Sequence, residues 1–399
     1  MIEFTPRVYY KLTLTLRSPL SVGSGNDNNT DHDCIVDSEG KPFLPATTIA
    51  GVLRHALDAD KDTVEKLFGR IAPKKADTLP SKVIFYDGHL AGNGKGYFIT
   101  ARDCVRLEEK VAASGAKFDL EAVETCAVFI AYAELTDTAY TETFENLLAQ
   151  LNAGILRFGA KTTRGYGQVG VVAEKKLIKN FAEYAKESVF TFKPAETLDL
   201  SDVTSDDTQI TLTLEGQGGI SVREYSTDVG MPDFTQLALH DKAQTPIIPG
   251  TSWAGAFRER FTEFAGEDAA RELFGYVDEK TEKTQKSRIR FTETSLTGGT
   301  YKTVTRNAID RFTNSTKDGA LYTERTYYNG IGELTVTLPK NTEQAYRDAL
   351  AACVADLHCG LLSVGGEGSI GRGLFKVTAV NGKPVTDENI YETVKEGLQ

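Results

Sequence analysis

The alternation of hydrophobic and polar residues predicts the same opening strand at two places in the chain. Residues 9–17 alternate, with leucines on one face, which is typical of a strand buried on one side. Residues 209–215 repeat this pattern. A polar loop rich in glycine and aspartate follows each strand, at residues 21–33 and 216–233. The pattern therefore predicts two similar beginnings.

A hydrophobic stripe with the period of a helix follows in both places. Its members in the first place are Ile49, Val52, Leu53, Ala56 and Leu57. Its members in the second place are Trp253, Ala256, Phe257, Phe261 and Phe264. The candidate N-caps are Thr47 or Thr48 in the first helix and Thr251 or Ser252 in the second. The free N–H groups at such a helix start can bind phosphate.

The remaining elements also come in the same order. In the first part a strand, a β-rich section, a helix and a closing strand are expected at residues 82–86, 100–134, 142–153 and 167–172. In the second part they are expected at residues 287–291, 303–337, 343–356 and 374–380. This order predicts an α+β fold of two tandem ferredoxin-like (RRM-like) domains, each with a β-rich insertion and a glycine-rich loop. The predicted boundaries are 1–177 for the first domain, 178–207 for an acidic linker, and 208–399 for the second domain with its polar C-terminal tail.

Short related sequences support a duplication. Pro45 and Pro249 stand 204 residues apart in similar turns, and Leu67-Phe68-Gly69 returns after 206 residues as Leu273-Phe274-Gly275. A glycine-rich run ends each copy, at residues 159–167 and 365–373. We infer that one domain has been duplicated within the chain.

The composition is that of a globular protein, with 399 residues, 40% of them hydrophobic and 25% charged. No apolar run approaches the roughly 18 residues of a membrane span, and the N-terminus lacks a secretion signal, so we expect a cytoplasmic protein. The five cysteines are scattered and form no Cys-x-x-Cys pair. They predict buried reduced thiols, and neither a disulfide framework nor a zinc site.

The net charge of −11 argues against a nucleic-acid partner, because phosphate binding relies on lysine and arginine. Basic residues nevertheless stand in and around the duplicated motifs. The candidates for phosphate contact are Arg54, Arg102, Lys161 and Arg164 in the first copy and Arg258, Arg306 and Arg372 in the second. A basic groove on an acidic protein therefore stays open as an interpretation.

Three motifs occur in a fixed order. The opening strand is followed by Ser18-Pro-Leu-Ser-Val-Gly-Ser-Gly25, and then by Lys41-Pro-Phe-Leu-Pro-Ala-Thr-Thr-Ile-Ala-Gly-Val-Leu-Arg54. The terminal loops contain Arg164-Gly-Tyr-Gly167 and Gly371-Arg-Gly373. This set resembles the RAMP superfamily of CRISPR-associated RNA-binding proteins, and specifically the repeating backbone subunit of type III effector complexes. Because both copies carry it, the chain is similar to a fused double backbone subunit.

The resemblance implies that the chain binds a CRISPR guide RNA, target RNA and other subunits of a type III effector complex, with no membrane partner. A β-hairpin thumb from each middle section, residues 102–135 and 306–338, would separate segments of the guide–target duplex. Glu121 and Glu324 would anchor the thumbs or form salt bridges. The residues expected to let the backbone approach phosphates closely, beside the basic side chains, are Gly165, Gly167, Gly371 and Gly373. Base pairing would carry the sequence information.

The first polar loop holds the candidate catalytic group. In target-cleaving members of the family, an aspartate about six positions before a second acidic residue promotes cutting of the target RNA. Counting back from Asp37 selects Asp31, and Asp33 is the alternative. Such a carboxylate could bind a divalent cation, Mg²⁺ or Mn²⁺, or activate a ribose 2′-OH. Asp31 is thus the candidate metal ligand, with His32 as a candidate acid or base.

The second polar loop departs from this spacing. The same count from Asp241 selects Thr235, which is not acidic. Asp233 lies close to it, so the second copy either cuts through Asp233 or only holds RNA.

Two kinds of function remain open at this point. The first is a metal-dependent endoribonuclease that cuts guide-paired target RNA through Asp31. The second is a non-catalytic structural or capping subunit of the same complex, in which the loop aspartates only cap turns. A third function, a guide-processing RNase of the same superfamily, would require a catalytic histidine on the first helix. His55 is a poor candidate for this role, and the second copy has Glu259 at the corresponding position.

Overall fold

The computed structural model of the chain describes residues 4–57, 61–72, 77–92, 96–108, 111–201, 203, 207–225, 230–239, 243–278 and 283–399. The chain divides into two compact units, residues 1–162 with 166–205 and residues 163–165 with 206–399. Each unit combines helices with a mainly antiparallel sheet, so the fold is mixed α/β and follows the predicted duplication.

The first unit is built around a strand that lies in the middle of its sheet. Its strands are β1 (Arg7–Leu16), β2 (Phe43–Leu44), β3 (Val83–Phe85), β4 (Gly88–Leu90), β5 (Ile99–Glu108), β6 (Val111–Val123), β7 (Val128–Leu135), β8 (Val169–Ile178) and β9 (Glu196–Thr197). Its helices are α1 (Ala46–Ala56), α2 (Lys61–Phe68), α3 (Thr141–Asn152) and α4 (Phe181–Tyr184). The main sheet has the order β2-β4-β7-β1-β8-β9, and β3 also pairs with β7. Leu12 and Leu14 of β1 share one hydrophobic core with Leu53 of α1 and Phe144 of α3, which is the burial that the alternating pattern predicts.

The second unit repeats this plan. Its strands are β10 (Asp207–Gly216), β11 (Gly219–Ile220), β12 (Arg223–Tyr225), β13 (Phe234–Gln236), β14 (Ile247–Ile248), β15 (Tyr276–Asp278), β16 (Lys283–Gln285), β17 (Arg290–Phe291), β18 (Thr294–Ser295), β19 (Thr300–Arg306), β20 (Tyr322–Tyr328), β21 (Ile331–Pro339), β22 (Phe375–Val380) and β23 (Lys383–Pro384). Its helices are α5 (Gly250–Ala265), α6 (Glu267–Phe274), α7 (Gln344–His358) and α8 (Ile390–Gly397). The main sheet has the order β17-β21-β10-β22-β23, again with the opening strand inside it. Trp253 and Phe257 of α5 are fully buried in its core.

The insertion hairpins are shorter than the sequence suggests. In the first unit β5 and β6 pair with each other, and in the second β19 and β20 pair beside β11 and β13. The strands β7 and β21, which the predicted thumbs included, belong to the main sheets and pair with β1 and β10. Their alternating side chains face the core, which is why a β-rich pattern alone could not separate them from the hairpins.

The segment expected as an acidic linker folds onto the first unit. Strand β8 continues to Ile178, β9 pairs with β8, and Val189 and Phe192 pack with Tyr9. Leu200 joins the main core of that unit. Residues 202 and 204–206 of this segment lie outside the described residues.

The C-terminal segment, which the sequence predicted as a polar tail, buries hydrophobic side chains against the second unit. Ile390, Val394 and Leu398 recur four residues apart and are buried in the core of the second unit. The exposed carboxylate of Asp387 bonds Nε2 of buried His358 at 2.9 Å. The tail is therefore an integral part of the second unit.

The first helix of each unit begins earlier than predicted. The residues at the N-cap positions are Pro45 and Pro249, and neither has a side-chain capping bond. In the first unit the N–H of Ala46 donates to Asp87 Oδ1 at 2.7 Å. A carboxylate of the protein thus already satisfies one free N–H at this helix start. The prediction of threonine or serine caps is therefore wrong for both helices.

The cysteines differ in exposure. Cys34 and Cys353 are buried as expected, whereas Cys126 and Cys359 are exposed. No helix of the described part of the chain is long and apolar enough to cross a membrane.

Candidate nucleic-acid interface

The arginine that ends each first-helix motif contacts the Leu-Phe-Gly turn of its own unit. Arg54 Nη1 donates to the carbonyl of Gly69 at 2.8 Å, and Arg258 Nη1 donates to the carbonyl of Gly275 at 3.1 Å. In each unit, the arginine of the first-helix motif therefore contacts the duplicated Leu-Phe-Gly motif directly. Arg54 stays exposed, and it lines an open cleft of about 300 Å³ together with the small residues Ala46 and Gly51 of α1.

The glycine-rich loop of the first unit is tied to the loop after the opening strand by backbone hydrogen bonds. Phe158 N donates to Gly167 O at 2.9 Å and Gly167 N to Pro19 O at 2.7 Å. Ala160 N donates to Ser21 O at 2.8 Å. Since backbone groups make these bonds, the loop shape depends little on which side chains it carries.

The second unit has the same three bonds. Val364 N donates to Gly373 O at 3.0 Å, Gly373 N to Gly219 O at 2.9 Å, and Gly366 N to Ser221 O at 2.7 Å. The duplicated glycine motif and the loop after the opening strand therefore form one conserved backbone assembly in both units.

Packing requires glycine at the last position of each run. Gly167 has φ +77°, and a Cβ there would lie 1.9 Å from Phe158 O. Gly373 has φ +72°, and its Cβ would lie 2.0 Å from Val364 O. Gly165 and Gly371 also have positive φ, but a Cβ at Gly371 would meet nothing within 4 Å. Gly371 is therefore the glycine with room for a ligand, whereas Gly167 and Gly373 are explained by the fold.

The basic residues of the first glycine run differ in their freedom. Arg164 is exposed, and no hydrogen bond or ion pair of its side chain is found within the described ranges. Lys161 is half-buried, with Nζ 4.7 Å from the ring centre of Phe118 on β6. The side chain of Arg164 is therefore accessible, whereas Lys161 contacts the hairpin through Phe118.

Arg102 is placed differently from an RNA-contacting arginine. Its side chain is 4% exposed, and its Nη2 lies 2.7 Å from Oε2 of Glu124, which is 5% exposed. Its guanidinium also lies 5.7 Å from the ring centre of Tyr166 in the glycine-rich loop. These contacts indicate that Arg102 joins the hairpin root to the glycine loop.

The corresponding region of the second unit holds a larger charge cluster. The carboxylate of Glu324 is 1% exposed and accepts from Arg306 at 2.8 Å and from Arg372 at 3.1 Å. Arg372 is also buried and donates to the hydroxyl of Tyr328. Burial and the neighbouring Glu324 raise the pKa of Glu367, which accepts from Arg223 at 2.7 Å. Arg306 and Arg372 therefore brace the second hairpin.

Asp33 is buried inside the acidic loop. Its carboxylate accepts backbone N–H bonds from Asn28, Asn29 and Thr30 at 2.8 to 3.2 Å. These bonds, that of Thr30 foremost, lower the pKa of Asp33 below its ordinary value. A carboxylate used in this way shapes the loop and leaves little capacity for a substrate.

Asp31 faces outward from the same loop. It is exposed, and its Oδ2 accepts from the N–H of Asp119 on β6 at 2.9 Å. The loop is thereby attached to the returning strand of the hairpin. His32 beside it is exposed and places its ring edge-on to Phe118, with 6.3 Å between centroids.

Asp233 makes a similar contact in the second unit. It is exposed, and its Oδ2 accepts from the N–H of Thr323 on β20 at 2.7 Å. Phe234 next to it lies edge-on to Tyr322, with 5.8 Å between centroids. The local contacts therefore pair Asp233 with Asp31. Thr235, which the spacing count selected, lies within strand β13, and the reference of that count, Asp241, is outside the described residues.

Other expected groups have fewer contacts to support them. His55 is exposed on α1. No group of three or more His, Cys, Asp or Glu side chains able to hold a metal ion occurs in the described part of the chain. A Mg²⁺ ion in a phosphate-processing site often takes one or two protein carboxylates plus substrate phosphates, so Asp31 fits such an ion only as one ligand among several.

The sequence did not indicate a role for two residues of this region. Asp119 bonds the acidic loop from β6, and Asp87 satisfies the start of α1. Neither belongs to a repeated motif, and only the fold brings each next to its partner.

Comparison with known proteins adds the family. The RAMP superfamily model matches residues 13–170 and 231–376, one match in each unit. One solved structure that matches is the "Cryo-EM structure of the Type III-B Cmr-beta bound to cognate target RNA", with 16% identity and a TM-score of 0.34. The match covers 44% of this chain and 60% of that chain, so it spans less than two thirds of that chain. No curated protein sequence matches. Because the family model covers more than half of the 399 residues, in two copies, this chain belongs to the RAMP superfamily as a fused double RAMP protein.

Proposed function

We propose that this chain is a double backbone subunit of a type III CRISPR effector complex, and that it cuts target RNA through Asp31. One observation carries the cutting role: an exposed loop aspartate is attached to the returning hairpin strand in both units, at Asp31 and at Asp233. The partners would be a guide RNA, a target RNA and other subunits of the complex. The sheet orders are compatible with a ferredoxin-like core in each unit.

RNA phosphates would meet the side chains that remain accessible. Arg54 and Arg164 are exposed, and Arg258 and Lys161 are half-buried. Gly371 of the second glycine-rich run offers an open backbone approach. Arg102, Arg306 and Arg372 would act through the hairpins, because carboxylates already pair their guanidinium groups.

The chemistry proposed at Asp31 is transfer within the target strand. A ribose 2′-oxygen attacks the neighbouring phosphorus, the bond from phosphorus to the 5′-oxygen breaks, and the products carry a 2′,3′-cyclic phosphate and a 5′-OH. The 2′-OH proton passes to the Asp31 carboxylate or to water, and the leaving 5′-oxygen takes a proton from water or from protonated His32. Asp31 would be one ligand of a divalent cation, and such a cation would stabilise the negative charge that develops on the phosphate oxygens.

Asp233 would provide a second cutting group. Its exposure and its bond to the hairpin strand match those of Asp31. The two units would then cut one target at two places.

The test uses the complex assembled with a guide RNA and a labelled matching target. Asp31→Ala should abolish cutting at one position while target binding stays within about twofold. Asp27→Ala is the matched control, because Asp27 is an exposed aspartate of the same loop. The products should end in a cyclic phosphate. Unchanged cutting by Asp31→Ala, with RNA still bound, would instead support the non-catalytic scaffold.

A further inference from the structure

The acidic loop and the hairpin of the first unit hold each other by a reciprocal pair of hydrogen bonds. Asp31 N donates to Asp119 Oδ1 at 2.8 Å, and Asp119 N donates to Asp31 Oδ2 at 2.9 Å. The residues lie 88 positions apart in the chain. One bond holds the Asp31 carboxylate and the other holds the Asp31 backbone, so both ends of the residue are attached to β6.

The pair leaves part of Asp31 available. Its Oδ1 takes part in no hydrogen bond found within the described residues. Its backbone and Oδ2 are engaged by β6, so the remaining oxygen is presented in one direction. This is the arrangement that a reacting carboxylate needs, since misplacement by about 1 Å can cost on the order of 100-fold in rate.

Further contacts extend the seam between the loop and β6. Glu121 N donates to His32 O at 3.0 Å, and Cys34 N donates to Glu121 Oε2 at 2.8 Å. Cys34 Sγ lies 3.1 Å from Glu121 O, and burial raises the pKa of this thiol to about 12. Asp33 stabilises the internal conformation of the loop. Asp119 and Glu121 attach the loop to β6.

The second unit has half of this device. Thr323 N donates to Asp233 Oδ2. Threonine has no carboxylate that could accept a bond from the N–H of Asp233, and its hydroxyl lies 3.1 Å from that of Thr305. Parallel pairing of Phe234 with Glu324 attaches the loop instead. The returned bond from Asp119 is therefore a separate feature of the first unit.

We propose that Asp119 is a positioning residue for Asp31, through which the hairpin sets the orientation of the cutting carboxylate. The inference rests on the proposed function of Asp31. It implies that whatever moves the hairpin also moves the cutting group, so the pairing state of the RNA at the hairpin would be coupled to cleavage.

Cutting by the assembled complex tests this inference with two substitutions. Asp119→Ala removes the acceptor and should lower the single-turnover cutting rate about 10- to 100-fold, with target binding unchanged. Asp119→Asn keeps an acceptor oxygen of the same reach and should restore the rate to within about threefold. Asp199→Ala is the control, because it removes another exposed carboxylate that accepts a backbone N–H, that of Ser201 at 3.0 Å.

A second readout follows the seam without requiring cleavage. Loss of one hydrogen bond should speed alkylation of Cys34 about fivefold in Asp119→Ala and leave it unchanged in Asp119→Asn, measured by peptide mass spectrometry. Faster alkylation with slower cutting is the expected result.

The outcomes separate the two claims. If Asp31→Ala abolishes cutting while Asp119→Ala cuts at the normal rate, the inference is wrong and the proposed function stands. If Asp119→Asn cuts as slowly as Asp119→Ala, positioning through the acceptor is wrong as well. If Asp31→Ala cuts normally, the proposed function fails and the inference fails with it.

Discussion

The guanidinium of Arg102 and the carboxylate of Glu124 form an almost completely buried ion pair at the root of the first hairpin, with Nη2 2.7 Å from Oε2. The hydroxyl of Thr100 also donates to this carboxylate. Removing one partner leaves an uncompensated buried charge, which is far more costly than removing both. The pair therefore couples hairpin placement to the stability of the first unit.

Glu124→Ala should destabilise the first unit by about 3–5 kcal/mol because the buried guanidinium of Arg102 loses its ion pair with Glu124. Urea unfolding at pH 7 measures the loss. The control is Glu39→Ala, since the pair of Glu39 with Lys41 is exposed and should be worth less than about 1 kcal/mol. Equal losses for the two variants would contradict the burial argument.

Two glycines of one loop separate packing from backbone freedom. Gly371→Ala adds a Cβ into open space at φ +81° and should cost about 1–2 kcal/mol. Gly373→Ala also forces its Cβ against Val364 O, so it should cost at least about 2 kcal/mol more. Thermal unfolding of both variants gives the comparison. A similar loss of thermal stability in both variants would mean that the contact between Gly373 and the carbonyl of Val364 does not restrict the loop.

The acid dependence of the loop follows from Asp33. Because its folded pKa is lowered, its contribution to stability is present above the unfolded value of about 3.9 and is lost as the pH falls below it. Asp33→Asn should therefore be less stable than the natural protein at pH 7, and the gap should close below about pH 4. Urea midpoints from pH 7 to pH 3 measure this. Asp27→Asn, at an exposed position, should show no such trend; a constant gap for Asp33→Asn would contradict the role given to the backbone N–H groups.

Arg164 provides the test of phosphate contact. Arg164→Ala should weaken guide RNA binding and lower the slope of log K against log salt by about one unit, because one fewer phosphate is neutralised. Arg164→Lys keeps the charge and should keep the slope. An unchanged slope for Arg164→Ala would remove this residue from the RNA interface.

The sequence predicted those elements whose burial follows from the hydrophobic pattern of a single segment. The stripe that contains Leu53, and its counterpart with Phe257, gave both first helices because the period alone marks a buried face. Asp31 was selected by a motif, and the structure leaves it exposed.

Features that depend on distant partners could not be predicted in this way. Arg102 was expected at the RNA, yet its environment is set by Glu124, which lies 22 residues away. Strand β7 had the same alternation as the hairpin strands, and only its pairing with β1 distinguishes it. Asp119 carries no motif, so its contact with Asp31 emerges from the fold alone.

Cut-site mapping on one long target tests the central claim most directly. The complex would be assembled with the natural chain, with Asp31→Ala, with Asp233→Ala and with both substitutions, and the ends of the target fragments would be sequenced. We expect each single variant to lose one set of cuts while keeping the other, and the double variant to bind the target without cutting it. Cutting by the double variant at the natural positions and rate would contradict the account.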